Sequence, residues 1–366
     1  MNKICHYRCF ESDKRISMQI YADQLQAGMI DHESQLEIFQ PQSSLEKYAS
    51  NKFVMRYLRY WEYPRSVVKQ KADIHHVIDH GYAHLLPKLS AGKKCITVHD
   101  LIPMLNWKGL ISESSKNVIR KPFLNLHSLS FIKNYDLIIC VSISTANDLV
   151  EHLSILPEKI RVIPPIINSY FKLRDIEEVD MFANKYNLDR TCKWVMISGV
   201  EFYKNLETSL KVLKELNKNN NKPIKLIKSG LPSKEFDRLV LSLGLESLVK
   251  CVFIEKSDEL PLLYNFVDCL LFPSLYEGFG MPVAEALACG TPVVTTKRGS
   301  LPEVGGKLAK YIEPNDVGGL CKAVDSSINE GGLRVNRYKA GTRWVEQFRE
   351  AKVGEKFAKV YHDLNK

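Results

Sequence analysis

Short apolar runs alternate along this chain with longer stretches whose apolar residues return every three or four positions. The runs Lys3–Tyr7, Glu37–Phe39, Lys94–Val98, Tyr135–Ser142, Arg161–Pro165, Ile224–Ile227, Cys269–Phe272 and Thr291–Thr295 read as buried strands. Between them Ser17–Ala27, Phe53–Arg65, Leu206–Leu216 and a last stretch from about Gly341 read as helices. Strand and helix taking turns predicts parallel sheets and an α/β chain. At 366 residues the chain exceeds one ordinary core, so two domains are expected. The polar segment Arg174–Asp180 reads as their linker, and Asn217 to Pro223 as a solvated turn.

One segment carries chemistry. After Cys269–Phe272 comes a loop holding Glu277, Gly278, Phe279 and Gly280, then Met281 and Pro282 where a helix should begin. Proline in a first turn loses nothing, because the N–H groups there have no intrahelical partner. Val283, Ala284, Glu285, Ala286, Leu287 and Ala288 continue the helix, and Gly290 ends it before the next strand. Strand, glycine loop, helix and strand make half of a nucleotide-binding sheet, with the helix start suited to an anion. Either glutamate alone could cap the helix. Together they suit the paired hydroxyls of a sugar.

The string Pro-Ser-x-x-Glu-Gly-Phe-Gly-x-Pro-x-x-Glu-Ala-x-Ala-x-Gly-x-Pro-Val, from Pro273 to Val293, resembles the donor-binding motif of retaining GT-B glycosyltransferases of family 4. The resemblance implies two Rossmann-like, doubly wound domains with a cleft between them. It implies an acceptor-side domain over 1–170 and a nucleotide-sugar domain over 171–340, with the terminal helix 341–366 packing back on the first. By the same resemblance Glu277 orients the hexose hydroxyls as a catalytic residue and Glu285 holds the ribose. Gly278, Phe279, Gly280, Met281, Pro282, Val283 and Gly199 belong to the donor-binding set.

Two further segments fit. Val98-His99-Asp100-Leu101-Ile102-Pro103 delivers a His-Asp pair to a strand end, where open α/β sheets bind ligands. The resemblance makes His99 a catalytic residue facing the donor sugar, against the simpler reading of a strand-end histidine bonded to Asp100. Glu201-Phe202-Tyr203-Lys204-Asn205-Leu206 aligns with a segment whose two basic residues meet the donor diphosphate, so Lys204 is the third catalytic candidate. Tyr203 stands where the family has arginine. The first loop, from Arg8 to Arg15, lacks the family's glycines and leaves Arg15 or Ser17 as substitutes. Lys228 is a candidate for the missing charge.

Composition narrows this only a little. The net charge is +9, with 21 Lys+Arg against 16 Asp+Glu in residues 1–165. Such a balance suits anionic lipid headgroups or plain solubility. Phe53–Arg65, dense in aromatic and basic residues, reads either as an interfacial helix or as one packing its aromatics inward. No basic–aromatic module points to nucleic acid. Nine cysteines stand singly, which suggests reduced thiols in a cytoplasmic setting. The N-terminal residues lack the apolar run of a signal peptide, and no run is long enough to span a bilayer. His75, His76 and His80 cluster but are expected to be structural. No D-x-D string is present to bridge a metal, so the expected co-substrate is a GDP- or UDP-hexose without a metal cofactor.

The reading is therefore a retaining hexosyltransferase acting on a glycan or lipid-linked acceptor in surface polysaccharide or lipopolysaccharide synthesis, with a mannosyl donor favoured. Peripheral contact with the inner face of the plasma membrane belongs to it. The competing readings are a catalytically weak binding or scaffold subunit and a GT-B sugar-nucleotide epimerase.

Overall fold

The computed structural model describes residues 3–29, 35–111, 122–218, 222–330 and 334–366. The chain forms two compact units, residues 1–166 with 348–366 and residues 167–347. The first unit contains strands β1 (Lys3–Tyr7), β2 (Gln35–Phe39), β3 (Ile74–Val77), β4 (Lys93–Val98), β5 (Leu137–Cys140) and β6 (Ile160–Val162). Among the described residues they pair in parallel, in the order β2-β1-β3-β4-β5-β6. The second unit holds β7 (Lys193–Ser198), β8 (Ile224–Ser229), β9 (Val249–Val252), β10 (Cys269–Phe272), β11 (Val293–Thr295) and β12 (Lys310–Tyr311), parallel in the order β12-β11-β10-β7-β8-β9.

The continuous apolar character of β5 and β10 follows from burial on both faces. In the first unit Ile4, Ile74, Cys95 and Ile139 pack with Tyr21 and Leu25 of the helix Ile16–Gly28. Val353, Phe357 and Tyr361 of the last helix, Glu350–Leu364, complete that core. The Tyr361 hydroxyl bonds to His6 Nε2 at 2.9 Å and to His76 Nδ1 at 2.6 Å, and His76 Nε2 meets the Thr97 hydroxyl at 2.8 Å. His75 bonds to the Tyr7 hydroxyl at 2.7 Å. Burial keeps His6 and His76 neutral by lowering their pKa values, His6 to about 3.

Several boundaries differ from the sequence reading. Arg174–Asp180 is not a linker: the helix Ile176–Lys185 covers most of it, and Asn265 of the second unit accepts the Arg174 N–H at 3.1 Å. The final stretch is two helices, Arg334–Val345 and Glu350–Leu364, because its apolar residues have different destinations. Trp344 donates to the Val304 carbonyl in the second unit, whereas Phe357 enters the first core. Strand β9 is not assigned from the sequence; Leu226 to Ser229 draw Val249 to Val252 into register. The turn expected at 217–223 lies partly outside the described residues. Asn217 accepts the Ile224 N–H and donates to the Ile224 carbonyl, both at 2.9 Å.

Candidate active site

In the second sheet β7 is the first strand in sequence, with β8 and β9 on one side and β10, β11 and β12 on the other. The winding therefore reverses between β7 and β10, and the loops leaving their carboxyl ends diverge over a crevice, the place where open α/β sheets take ligands. Lys204 follows β7 and Glu277 follows β10, which brings two candidates 73 residues apart onto one spot. Lys204 Nζ donates to Glu277 Oε1 at 2.8 Å, and both side chains are largely buried. The ammonium also lies 4.8 Å from the Phe272 ring centre and 5.1 Å from that of Tyr203.

The two loops are tied together by backbone. The Leu275 N–H donates to the Tyr203 carbonyl at 2.8 Å, and the Asn205 amide donates to the carbonyls of Pro273 at 3.1 Å and Pro314 at 2.9 Å. Gly199 does not simply end β7. A Cβ there would come within 2.6 Å of Lys204 Cγ, and its φ of +92° disfavours a side chain. The glycine makes the bed on which the Lys204 stem lies.

Glu277 is fixed from behind by residues outside the quoted motif. The Ser300 hydroxyl donates to the Phe279 carbonyl at 2.7 Å and the Glu277 carbonyl at 3.1 Å, and the Ser300 N–H also reaches the Glu277 carbonyl. A Cβ on Gly299 would lie 2.4 Å from that carbonyl oxygen, so the chain after β11 passes in direct contact with the loop. The helix Met281–Ala288 follows with Gly280 as its N-cap and no capping side chain, and Pro282 sits in its first turn as expected. Val283 is buried beneath that turn.

Glu285 sits one turn into this helix and is buried. Its Oε2 accepts the Tyr264 hydroxyl at 2.7 Å, a partner from the helix Leu260–Phe266 that the sequence reading missed. Burial pushes the Glu285 carboxyl up to about 7, while the Tyr264 hydrogen bond pulls it down. The signal for Tyr264 was a tyrosine in a largely apolar stretch, which by itself reads as core.

Lys228 does not stand free at the crevice. It is fully buried, donates to the Leu231 carbonyl at 2.8 Å, and has its pKa lowered by desolvation.

In the first unit β4 delivers His99 into a strand-end cluster. Its Nε2 lies 2.9 Å from the Ile78 carbonyl; a carbonyl only accepts, so Nε2 carries the proton. The ring is buried edge-on against Tyr21, with centroids 4.6 Å apart, and burial lowers its pKa. The His99 N–H donates to His80 Nδ1 at 3.3 Å. Arg15, a proposed phosphate ligand, instead pairs with buried Asp79. Burial alone would raise the Asp79 carboxyl; Arg15, helped by His80 and Arg59, holds it well below the usual carboxylate range. Ser17 opens the helix Ile16–Gly28 and is exposed. Thus Lys204, Gly199, Glu277 and the Gly278 to Val283 loop gather at the carboxyl ends of β7 and β10, Glu285 follows one turn into the helix, and His99 stands at a strand end of the other sheet.

Residues 182–344 match the model for glycosyl transferases group 1, and residues 29–169 match that for glycosyltransferase family 4. The chain belongs to the family 4 glycosyltransferases of GT-B fold. Its relatives include the serotype-specific mannosyltransferase WbdA of Escherichia coli, 27% identical over 65% of this chain and 29% of that protein. The O-antigen chain mannosyltransferase B of Escherichia coli is 31% identical over 45% of this chain and 44% of that protein. The chain therefore spans less than half the length of these relatives. Among solved structures, sucrose-phosphate synthase from Thermosynechococcus elongatus has a TM-score of 0.79 at 16% identity, over 100% of this chain and 99% of that one. The Anabaena protein HepE, solved with UDP and glucose, has a TM-score of 0.73 at 15% identity, over 99% and 100% of the two chains. These structures establish the fold alone, and the carboxyl ends of β7 and β10, where Lys204 and Glu277 stand, are its switch point.

Proposed function

We propose that this glycosyltransferase is a retaining hexosyltransferase that moves a hexose, with mannose favoured, from GDP or UDP to a glycan or lipid-linked acceptor of a surface polysaccharide. The observation that carries the reading is the buried Lys204–Glu277 pair at the switch point, with Glu285 held by Tyr264 in the helix that follows the loop. A cation and a carboxylate 2.8 Å apart suit a ligand with an anionic group beside sugar hydroxyls. Lys204 and the start of the helix Met281–Ala288 then stabilise the departing diphosphate, Glu277 accepts hexose hydroxyls, and Glu285 accepts ribose hydroxyls. In the transfer the C1–O bond to the diphosphate breaks, a C1–O bond to the acceptor forms on the same face, and the acceptor's proton leaves with the diphosphate. The mannosyltransferase names among the relatives and the UDP and glucose in HepE support the class of donor. The absence of a D-x-D string supports a reaction without a metal cofactor, and transfer should persist in EDTA. The role of His99 rests on the resemblance and calls for its own substitution.

The test is titration with GDP-mannose, UDP-glucose and UDP-galactose, then transfer to lipid-linked glycan extracts, with the anomeric configuration of the product read by NMR. An inverted product sinks the retaining assignment, and full transfer by Glu277→Gln sinks the site. Tyr203, packed where a second cation would stand, favours a binding subunit as the alternative. Nucleotide-sugar binding without turnover would establish it, and C2 inversion of the free donor would identify an epimerase.

A further inference from the structure

The second unit has a cavity of about 330 Å³ at the amino ends of its strands, opposite the carboxyl ends that carry Lys204 and Glu277. Lys193 and Trp194 open β7, Asp268 stands just before β10, and Lys222 stands shortly before β8. Trp194 and Phe266 make a fixed wall. Both are buried, with ring centres 6.0 Å apart, and the Trp194 indole N–H is spent on the Asp189 carbonyl at 2.7 Å. The rest of the lining is cationic. The Arg190 guanidinium lies 5.4 Å from the Phe266 ring centre, and the Lys225 ammonium, outside the cavity, lies 5.5 Å from that of Trp194.

The charges here do not cancel. Asp268 is the one carboxylate among the described residues that line the cavity, and both of its oxygens are engaged. Oδ1 accepts from Lys193 Nζ at 2.9 Å and Oδ2 from the Trp194 N–H at 2.8 Å. Arg190 pairs with Asp180. Lys222 is exposed and makes no ion pair among the described residues. A further cation lies against the chain that forms the wall. Arg334 donates to the carbonyls of Tyr264 at 2.6 Å and Val267 at 3.4 Å and to the Thr291 hydroxyl at 3.1 Å. Its Nε has no hydrogen-bond partner and no carboxylate pairs with it among the described residues. Burial lowers its pKa to about 10. With Lys225 and Asp189, which flank Trp194, five cations stand against three carboxylates, an excess of two.

That excess matches a phosphate monoester, whose charge near neutral pH is about −1.5 to −2. Lysine and arginine only donate, so they serve phosphate oxygens and reject a cationic ligand. Volume narrows the class further. A cavity of about 330 Å³ is at the small end of ligand sites, which span about 300–1,000 Å³. It admits a phosphate carrying one sugar ring and is too small for a whole nucleotide sugar. A nucleobase would find no open ring face, because Trp194 and Phe266 are buried and each already has a cation beside it.

We infer that this cavity, walled by Trp194 and Phe266 and rimmed by Arg190, Lys193 and Lys222, binds a sugar phosphate at a site separate from the donor crevice. The site lies within one unit and is independent of which sugar the enzyme transfers.

The test is fluorine NMR of the full chain with fluorotryptophan at its four tryptophans, the Trp194 signal being assigned by its loss in Trp194→Phe. Glucose 6-phosphate should shift that signal saturably, glucose should leave it in place, and inorganic phosphate should act only at higher concentration. Lys193→Gln with Lys222→Gln should weaken the response at least about tenfold. Should that variant fail to fold, Lys222→Gln alone, at an exposed side chain, must still weaken it. Lys204→Ala should leave it unchanged, since that lysine stands at the other end of the sheet. A Trp194 signal that does not move, an equal response to glucose or to inorganic phosphate, or an undiminished response in the lysine variants overturns the proposal. So does a response lost in Lys204→Ala, because the ligand would then sit in the donor crevice.

Discussion

Replacing Tyr264 by Phe tests the proposed donor site at its least expected point. The Tyr264 hydroxyl donates to Glu285 Oε2 at 2.7 Å, in a region where burial has pushed the carboxyl from 4.5 up to about 7. If Glu285 accepts ribose hydroxyls, its ionised form is the stronger acceptor. With a pKa of about 7, it is roughly one-tenth ionised at pH 6 and nine-tenths at pH 8. Affinity for a nucleotide sugar, whose diphosphate stays charged throughout, should therefore rise about tenfold across that range. A hydrogen bond to a charged group contributes about 1.5–3 kcal/mol, so Tyr264→Phe should lift the carboxyl by a further one to two units. At pH 7 the variant should bind roughly ten times more weakly, with its midpoint moved above pH 8. Isothermal titration calorimetry from pH 6 to 9 measures both. Glu285→Gln should give a flat profile.

The same shift has a stability counterpart. Between 4.5 and about 7 the folded protein keeps a proton that the unfolded chain has released, so stability falls as pH rises through that window. The change is roughly 3 kcal/mol if this group acts alone. A wild-type affinity independent of pH, or a midpoint unmoved in Tyr264→Phe, would refute the reasoning.

Other substitutions probe the supports. Gly199→Ala places a Cβ 2.6 Å from Lys204 Cγ at a φ of +92°, so transfer should fall at least about tenfold, with a loss of about 1–2 kcal/mol in denaturant melts. Ser300→Ala removes the hydroxyl that holds the Phe279 carbonyl and should cost about 1 kcal/mol. It should also lower kcat, by loosening the loop that carries Glu277; an unchanged kcat would mean that the loop is held by other bonds. Asp79→Asn leaves Arg15 beside a neutral partner and should cost about 3–5 kcal/mol in thermal or urea unfolding. A change below about 1 kcal/mol would show that the pair is solvated in solution.

Much of this protein could be read without coordinates, and the reasons are local. Continuous apolar runs such as Cys269–Phe272 announce strands buried on both faces, and Pro282 and Gly290 mark the start and end of a helix. The loop glycines and two glutamates lie within a few residues of one another, so their chemistry survives in a linear string. Arg174–Asp180 was misread because a polar surface helix and a linker have similar composition. The last stretch was misread because periodicity shows that a face is buried, not which core buries it.

What only the tertiary structure decided are the relations between distant segments. Strand order places Lys204 against Glu277, seats Gly199 under the lysine, and brings Tyr264 to Glu285 and Ser300 to the motif loop. It also buries Lys228 and commits Arg15 to Asp79, two residues that the letters alone offered as substitutes for the missing charge and loop contacts. Hydrophobic patterning fixes which elements form because each reports its own burial. Hydrogen bonds and charges act over a few ångströms, and their partners are set by where the sheet reverses its winding.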